Sequence, residues 1–386
     1  MTNDPTPDRL RRSDPPLSGE GKERKPILLC AGGTGGHLFP AEALAVALNK
    51  RGLAVALATD HRAAHFEFPA RAVHLIPSAT LRGRNPVALA RTATRLALGT
   101  MKAWWLIGRI KPAVVVGFGG YPTVPPLIAA SMRGVPTVLH EQNGVMGRAN
   151  RMLASRVTRI ATGFPTLKNL DPALQAKVVF TGNPVRPAVV AAAATPYAAP
   201  EADGTLRLLV FGGSQGAHVM AEIVPKAIER LAADVRARLS IVQQARAEDL
   251  EAVRKVYARL GVTADCAPFF ADLPARMAAA HLVVSRSGAS TVAELSAIGR
   301  PALLVPLPHA LDQDQLANAG ALERAGGAIT IVQRDFTPER LAAEIGRLAG
   351  DPAALAGMAA GAKSAGTLDA AERLADVVLT TAGIQP

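Results

Sequence analysis

Residues Lys25–His37 read KPILLCAGGTGGH, an apolar run that ends in a glycine-rich turn. The same arrangement returns at Leu206–His218 as LRLLVFGGSQGAH, and a helical pattern follows each copy. Short runs rich in Val and Leu alternate with Ala-rich helical stretches elsewhere in the chain, which is typical of parallel βαβ units. Two such openings, about 180 residues apart, predict an α/β fold with two doubly wound, Rossmann-like domains that face each other across a cleft.

The length of 386 residues suits two domains rather than one. We expect a disordered leader at residues 1–25, an N-terminal domain at 26–190, a linker at 191–204 and a C-terminal domain at 205–365. The final segment, 366–386, is predicted to form a helix that returns to the N-terminal domain. Ligands of such folds lie outside the carboxyl ends of the strands, so the cleft is the expected binding site.

The charge balance limits the partners of this chain. A net charge of +12 and a pI near 10.3 indicate an anionic partner. The first half is the more basic, because Glu141 is the only acid between Glu67 and Asp171. Cys30 and Cys266 are the only cysteines, which excludes a disulfide framework and a zinc knuckle.

The sequence also argues against secretion and against a membrane span. Its first residues lack the apolar region of a secretion signal. The uncharged stretch 112–132 is long enough to cross a bilayer, but it contains four prolines and three glycines. Those residues break a lipid-facing helix, so we expect a cytosolic protein.

The two glycine-rich turns are candidate phosphate sites. Glycines let the backbone approach a ligand, and the helix that follows presents free N–H groups at its positive end. The candidates are Thr34, Gly35 and Gly36 in the first turn and Ser214 in the second. A merely tight turn is the alternative. Read from Gly33, the dinucleotide-binding fingerprint is incomplete, because Leu38 stands where it requires Gly or Ala. Neither turn continues as GK[ST], which excludes a P-loop.

RSGASTVAE (Arg286–Glu294) is the most informative stretch, because it follows an apolar strand and begins a helix. Its small polar residues and free N–H groups can bind phosphate. The carboxylate of Glu294 can accept hydrogen bonds from both hydroxyls of a ribose. An ordinary capping box is the alternative, and the residues alone leave both interpretations open.

Polar clusters at other strand ends complete the predicted cleft. They are HEQN (His140–Asn143), FGGY (Phe118–Tyr121) and GNPVR (Gly182–Arg186). HALDQDQLAN (His309–Asn318) adds amides and carboxylates that suit sugar hydroxyls. Its Asp-x-Asp pattern is also typical of metal-dependent sugar transferases. Helix termini already supply positive potential for a diphosphate, so we expect no metal.

Residues 85–111 predict an amphipathic helix with a basic stripe. At 100° per residue four cations share one face and two apolar side chains lie beside them. The cations are Arg91, Arg95, Lys102 and Arg109, and the apolar pair is Leu98 and Trp105. This pattern is typical of binding to an anionic membrane surface. A solvated basic face is the alternative, and nucleic acid fits less well because no aromatic-and-basic groove pattern is present.

Six motifs resemble those of the MurG family in order and spacing, from about Pro26 to Leu379. They are GGTGGH, GGY, HEQN, GNPVR, GGSQGA and RSGASTVAE. The resemblance implies the two-domain GT-B fold and a UDP-GlcNAc-dependent hexosyltransferase of peptidoglycan synthesis. Such enzymes transfer N-acetylglucosamine, with inversion, to the C4 hydroxyl of the muramyl sugar of lipid I, giving lipid II and UDP. It further implies a peripheral position at the cytoplasmic face of the inner membrane and no cofactor.

The resemblance also assigns roles to individual residues. The implied acceptor side comprises Gly119, Gly120 and Tyr121, with the membrane held by the basic stripe. The implied donor site comprises Thr34, Gly35, Gly36, Asn143, Arg186, Ser214, Phe270, Ala289, Ser290, Thr291, Val292, Ala293, Glu294, Gln315 and Asn318.

Some positions depart from the family pattern. Phe270 replaces a smaller aliphatic residue beside the uracil, and Ser290 replaces a usual Leu. GGYPTVPP differs from the usual GGYVSGP, so the acceptor loop is less closely matched than the donor site.

The predicted mechanism is a direct displacement at the anomeric carbon with UDP as the leaving group. His37 is the first candidate for the base, because an imidazole can titrate near neutral pH, and Glu141 is the second. Three other functions remain open at this point. They are another transferase or epimerase on the same fold, a non-catalytic basic binder of membrane or nucleic acid, and a nicotinamide oxidoreductase.

Overall fold

The computed structural model describes residues 25–32, 35–61, 67–79, 86–201, 203–213, 216–308 and 310–385. The predicted leader at 1–25, apart from Lys25, lies outside the described residues, as do the candidate site residues Thr34 and Ser214.

The first half contains a sheet of seven parallel strands in the order β3-β2-β1-β4-β5-β6-β7. The central strands read ILLC and VVVG and are buried on both faces, as expected of a parallel sheet covered by helices. The strands are β1 (Ile27–Cys30), β2 (Val55–Thr59), β3 (Ala72–Leu75), β4 (Val114–Gly117), β5 (Thr137–Glu141), β6 (Arg159–Thr162) and β7 (Val178–Phe180). The helices are α1 (Gly35–Lys50), α2 (Pro86–Ile110), α3 (Val124–Met132) and α4 (Arg148–Leu153).

The second half contains a six-stranded parallel sheet in the order β10-β9-β8-β11-β12-β13. Its strands are β8 (Leu206–Phe211), β9 (Leu239–Gln244), β10 (Thr263–Ala267), β11 (Leu282–Ser285), β12 (Ala302–Leu304) and β13 (Ala328–Thr330). The helices from this half onward are α6 (His218–Arg230), α7 (Ala233–Ala237), α8 (Ala247–Arg259), α9 (Leu273–Ala279), α10 (Ala289–Ile298), α11 (Asp314–Arg324), α12 (Pro338–Ala349), α13 (Pro352–Ser364) and α14 (Ala370–Thr381).

Both sheets have the strand order of a doubly wound fold, which confirms the predicted fold class. In each sheet the order reverses beside the first strand, between β1 and β4 and between β8 and β11. Ligands of such sheets bind in the crevice outside these switch points. The fold therefore supplies two crevices, one in each half.

Helix α14 belongs to the core of the first half. Leu374, Ala375, Val378 and Leu379 are buried among side chains of α1 and of the first sheet. The guanidinium of Arg51, just after α1, pairs with Glu372 at 2.6 Å. The chain thus crosses between the two halves twice.

The first crossing lies earlier than the sequence analysis placed it. Helix α5 (Pro187–Ala192) straddles the predicted end of the N-terminal domain at 190 and the start of the predicted linker. Val185 and Val189 are buried against Phe211 and Met277 of the second half. Because α5 packs on that core, the change from one half to the other occurs between β7 and α5.

Candidate active site

Four of the predicted motifs lie at the two switch points. GGTGGH follows β1 and FGGY follows β4, while GGSQG follows β8 and RSGAS follows β11. Parallel strands end at the same edge of their sheet, so each pair of motifs borders one crevice. HEQN begins with the last two residues of β5 and extends the first crevice, as HALDQDQLAN, after β12, extends the second.

An ion pair at this cleft links the segment that crosses between the halves to α10 of the second half. Arg186, before α5, donates from Nη2 to Oε1 of Glu294 on α10 at 3.0 Å. The side chain of Arg186 is 22% exposed and that of Glu294 is 8% exposed. Arg186 also lies over the ring of Phe39 on α1, with Cζ 4.1 Å from the ring centroid. Burial raises the pKa of Glu294, while the charge of Arg186 lowers it.

The start of α10 lacks a side-chain cap. Gly288 occupies the N-cap with φ −60° and ψ 151°, and no side chain bonds to the helix N–H groups there. The capping box considered above is therefore not formed. The hydroxyl of Ser290 is buried and has no hydrogen-bond partner among the described residues. These free groups at the positive end of a helix suit an anion such as a diphosphate.

His37 lies on the opposite side of the cleft, in the first turn of α1. Its imidazole packs against the backbone of Gly119 and Gly120, which have φ of 82° and 72°. A Cβ added at Gly120 would lie 3.3 Å from Nε2 of His37. His37 Nδ1 lies 3.3 Å from Oε1 of Gln142. The FGGY turn thus carries glycine where the imidazole needs the space.

Glu141 is 1% exposed and its carboxylate binds the loop that follows it. It accepts hydrogen bonds from the backbone N–H groups of Asn143 and Gly147 at 3.0 and 2.9 Å. It also accepts from the side chains of Asn143 and Asn150 at 3.2 and 2.7 Å. Burial raises its pKa, and these four bonds lower it. Glu141 therefore holds the HEQN loop in place.

Asn318, predicted to face sugar hydroxyls, is a buried bridge between the halves with 0% exposure. Its Oδ1 accepts from the N–H of Gly144 at 2.9 Å. Its Nδ2 donates to Oδ1 of Asn143 at 3.1 Å and to the carbonyl of Ser287 at 3.2 Å. Near it, Oε1 of Gln315 accepts from the N–H of Leu307 at 3.0 Å. The amide of Asn318 thus positions the HEQN loop against the start of α10.

The remaining predicted donor residues vary in their access to the cleft. Gly35 and Gly36 form the first turn of α1, and Thr291 and Ala293 are half-buried on α10. Ala289 and Val292 are buried on α10, and their apolar side chains offer no hydrogen bond to a ligand.

Three further predicted positions have partners of their own. Phe270 is buried, and the guanidinium of Arg276 lies 4.2 Å from its ring centroid. Asp312, of the Asp-x-Asp pattern, lies 3.4 Å from Arg148. Tyr121 is half-buried and packs beside α3.

The basic stripe lies on the outer face of α2. Leu98 and Trp105 are 49% and 67% exposed. The cations Arg91, Arg95, Lys102 and Arg109 are exposed as well, while Ile107 on the other face is buried in the core. Among the described residues no helix is long and apolar enough to cross a membrane.

Sequence reasoning missed the partners of His37. Gln142 and His140 were recognised only as part of the HEQN motif. Both are buried, at 2% and 0% exposure. Their position next to Glu141, at the end of a buried strand, was the available signal.

A cavity of about 700 Å³ was also missed. It lies between the halves, and Val292 and Ser296 of α10 line it together with Leu316 and Ala317 of α11. Residues of α10 at these positions are on the opposite face from Glu294, so the cavity is separate from the ion pair.

Comparisons with known proteins agree with this architecture. The glycosyltransferase family 28 N-terminal domain matches residues 27–162, and the family 28 C-terminal domain matches residues 207–374. A relative from Rhodopseudomonas palustris (strain BisB18) is 64% identical over 360 residues, covering 93% of this chain and 96% of its own. It is named UDP-N-acetylglucosamine–N-acetylmuramyl-(pentapeptide) pyrophosphoryl-undecaprenol N-acetylglucosamine transferase.

Comparison with solved structures also identifies glycosyltransferases. The crystal structure of Acinetobacter baumannii MurG matches with a TM-score of 0.74 and 29% identity, over 92% of this chain and 99% of that one. A calicheamicin glycosyltransferase matches with a TM-score of 0.64 and 16% identity, over 94% of this chain and 99% of that one, and shares the fold alone. The chain therefore belongs to glycosyltransferase family 28 and, within it, to the MurG family.

Proposed function

We propose that the chain transfers N-acetylglucosamine from UDP-GlcNAc to the C4 hydroxyl of the N-acetylmuramic acid of lipid I. The products are lipid II and UDP, and the anomeric configuration is inverted. The observation that carries this proposal is the pairing of Arg186 with Glu294 at the uncapped start of α10, with His37 on the other side of the same cleft. The donor would lie on the second half and the acceptor on the first.

The diphosphate and the ribose of the donor each have a chemical counterpart at this position. A diphosphate matches the guanidinium of Arg186 and the free N–H groups at the start of α10. The ribose hydroxyls match the carboxylate of Glu294, which pairs with Arg186. The buried hydroxyl of Ser290 supplies one more hydrogen bond to this region.

The reaction would be a direct displacement. His37 takes the proton from the acceptor hydroxyl as the hydroxyl oxygen attacks the anomeric carbon of the GlcNAc. The bond between that carbon and the UDP oxygen breaks. The charge that develops on the diphosphate is stabilised by Arg186 and by the positive end of α10. We favour His37 over Glu141 as the base, because four hydrogen bonds already engage the buried carboxylate of Glu141.

The exposed stripe on α2 would hold the enzyme at the cytoplasmic face of the inner membrane as a peripheral protein. Its cations match anionic lipid headgroups, and Leu98 and Trp105 can enter the interface. The acceptor's lipid tail could then stay in the bilayer during the reaction.

A mass-resolved assay with UDP-GlcNAc and a short-chain lipid I analogue tests the proposal. We expect UDP and the disaccharide lipid in equal amounts. UDP-GlcNAc binding without product would exclude lipid I as the acceptor. Comparing His37→Ala with Glu141→Gln tests the base. Near-normal turnover in His37→Ala together with loss in Glu141→Gln would reverse the assignment.

A further inference from the structure

Four groups, the last of them His37, form a line of hydrogen bonds. Nε2 of His140 lies 3.2 Å from the carbonyl oxygen of Gly182. Nδ1 of His140 lies 3.0 Å from Nε2 of Gln142. Oε1 of Gln142 lies 3.3 Å from Nδ1 of His37. The line therefore runs from the carbonyl of Gly182, through two buried side chains, to the imidazole that faces the cleft.

The direction of every bond follows from the first. A carbonyl oxygen only accepts, so Nε2 of His140 carries the hydrogen. In a neutral imidazole the other nitrogen, Nδ1, then accepts, and it does so from the amide N–H of Gln142. Burial lowers the pKa of His140 to about 4, so this ring is neutral at physiological pH.

The orientation of the Gln142 amide is fixed by a second bond. The same Nε2 donates to the backbone carbonyl of His140 at 3.1 Å. If the amide were turned over, its oxygen would face two acceptors, the lone pair of His140 Nδ1 and this carbonyl. Oε1 must therefore face His37, whose Nδ1 can only donate to it.

The starting point of the line is held rigidly. Gly182 has φ 80°, and a Cβ there would lie 2.6 Å from Cβ of Thr367. Its neighbour Asn183 donates from Nδ2 to the backbone carbonyl of Gln142 at 2.8 Å. The GNPVR motif thus fixes the backbone of the HEQN loop as well as the carbonyl that orients His140.

We propose that Gln142 and His140 are positioning residues that hold His37 in the tautomer with the proton on Nδ1. The basic lone pair is then on Nε2, the nitrogen next to Gly120 at the acceptor side of the cleft. The proposal rests on the proposed function in one respect, the use of His37 as the base. The tautomer itself is a property of the protein without substrates.

The first test is spectroscopic. Ring-nitrogen NMR of the full chain labelled with ¹⁵N-histidine reports which nitrogen of each of the eight histidines is protonated. The signals of His37 are identified by their loss in His37→Gln. We expect Nδ1–H in the unaltered chain and a mixture of tautomers in Gln142→Met. An Nε2–H tautomer in the unaltered chain, or an unchanged spectrum in Gln142→Met, would overturn the proposal.

The second test is kinetic. Gln142→Met should lower kcat about 2- to 10-fold, the effect of losing one hydrogen bond worth roughly 0.5–1.5 kcal/mol, and leave KM for UDP-GlcNAc unchanged. The ring-nitrogen spectrum of the same variant shows whether kcat falls together with the Nδ1–H tautomer, which a purely structural role would not predict. The exposed Gln175→Met is the matched control and should behave as the unaltered chain.

The two tests separate the two proposals. An Nδ1–H tautomer together with normal turnover in His37→Gln would leave the positioning intact and remove His37 as the base. A normal kcat in Gln142→Met, with a changed tautomer, would contradict the kinetic role of Gln142.

Discussion

Arg186, in the segment that crosses between the halves, and Glu294, on α10 of the second half, hold Nη2 and Oε1 3.0 Å apart. Each is the counter-charge of the other, and together they occupy the position proposed for the ribose and diphosphate of the donor. In the proposed donor complex, contacts with the donor replace this ion pair. The proposed exchange leaves neither buried charge without a partner, which would otherwise be costly.

Glu294→Gln should raise KM for UDP-GlcNAc roughly 10-fold or more, since hydrogen bonds to charged groups contribute roughly 1.5–3 kcal/mol. kcat should change less, because the ribose lies away from the reacting carbon. Steady-state kinetics at varied donor concentration measures both. Glu339→Gln, which removes an exposed carboxylate paired with Arg230, is the control and should leave KM unchanged. An unaltered KM in Glu294→Gln would exclude the ribose role.

Donor affinity should also depend on pH. Burial raises the pKa of Glu294, so acidification neutralises it at a higher pH than an ordinary glutamate. UDP-GlcNAc affinity should fall as the pH falls through this raised pKa, because the protonated acid no longer accepts hydrogen bonds from both ribose hydroxyls. Calorimetric titrations across the acidic range test this. Glu294→Gln should bind weakly with little dependence on pH there, and an unchanged slope in that variant would assign the dependence to another group.

Asn318→Ala should destabilise the contact between the halves. The substitution leaves the buried N–H of Gly144 and the carbonyl of Ser287 without partners, at about 1–3 kcal/mol for each unsatisfied group. We expect thermal unfolding to shift down by several degrees and kcat to fall. The exposed Asn49→Ala, which removes one hydrogen bond to the carbonyl of Pro69, is the control. Equal shifts of the unfolding temperature in the two variants would show that Asn318 does not stabilise the contact between the halves.

Gly120→Ala should reduce turnover through His37. Its φ of 72° is unfavourable for alanine, and the added Cβ would lie 3.3 Å from Nε2 of His37. Gly134→Ala is a matched control, because φ there is 66° and a Cβ would meet nothing within 4 Å. Both variants should lose stability, and only Gly120→Ala should lose kcat. A similar loss of kcat in both would attribute the effect to backbone strain.

Replacing Leu98 and Trp105 by Ser should weaken binding to anionic liposomes, because it removes the exposed apolar side chains beside the cations of α2. UDP-GlcNAc affinity should not change. Leu368→Ser, at an exposed leucine away from the stripe, provides the control in a co-sedimentation assay. Equal loss of liposome binding and donor affinity would contradict a separate membrane face.

The sequence predicted the features that depend on neighbouring residues. Glycine turns after apolar runs located the two switch points, because strand, turn and helix start are local patterns. The exposed stripe on α2 followed from helical periodicity. The bridging role of Asn318 could not be predicted, since its partners Gly144 and Ser287 are distant in the chain. The same holds for Val189, whose burial depends on a core built by the second half.

Helix α14 gives the molecule an order of assembly. Its apolar face, with Leu374 and Val378, completes the core around α1, yet it is synthesised after the entire second half. At about 5–20 residues per second, the roughly 200 residues between β6 and α14 take about 10–40 s to translate. A first half that folded during that time would leave the apolar surface under α14 uncovered, so we expect α14 to limit aggregation of the earliest strands.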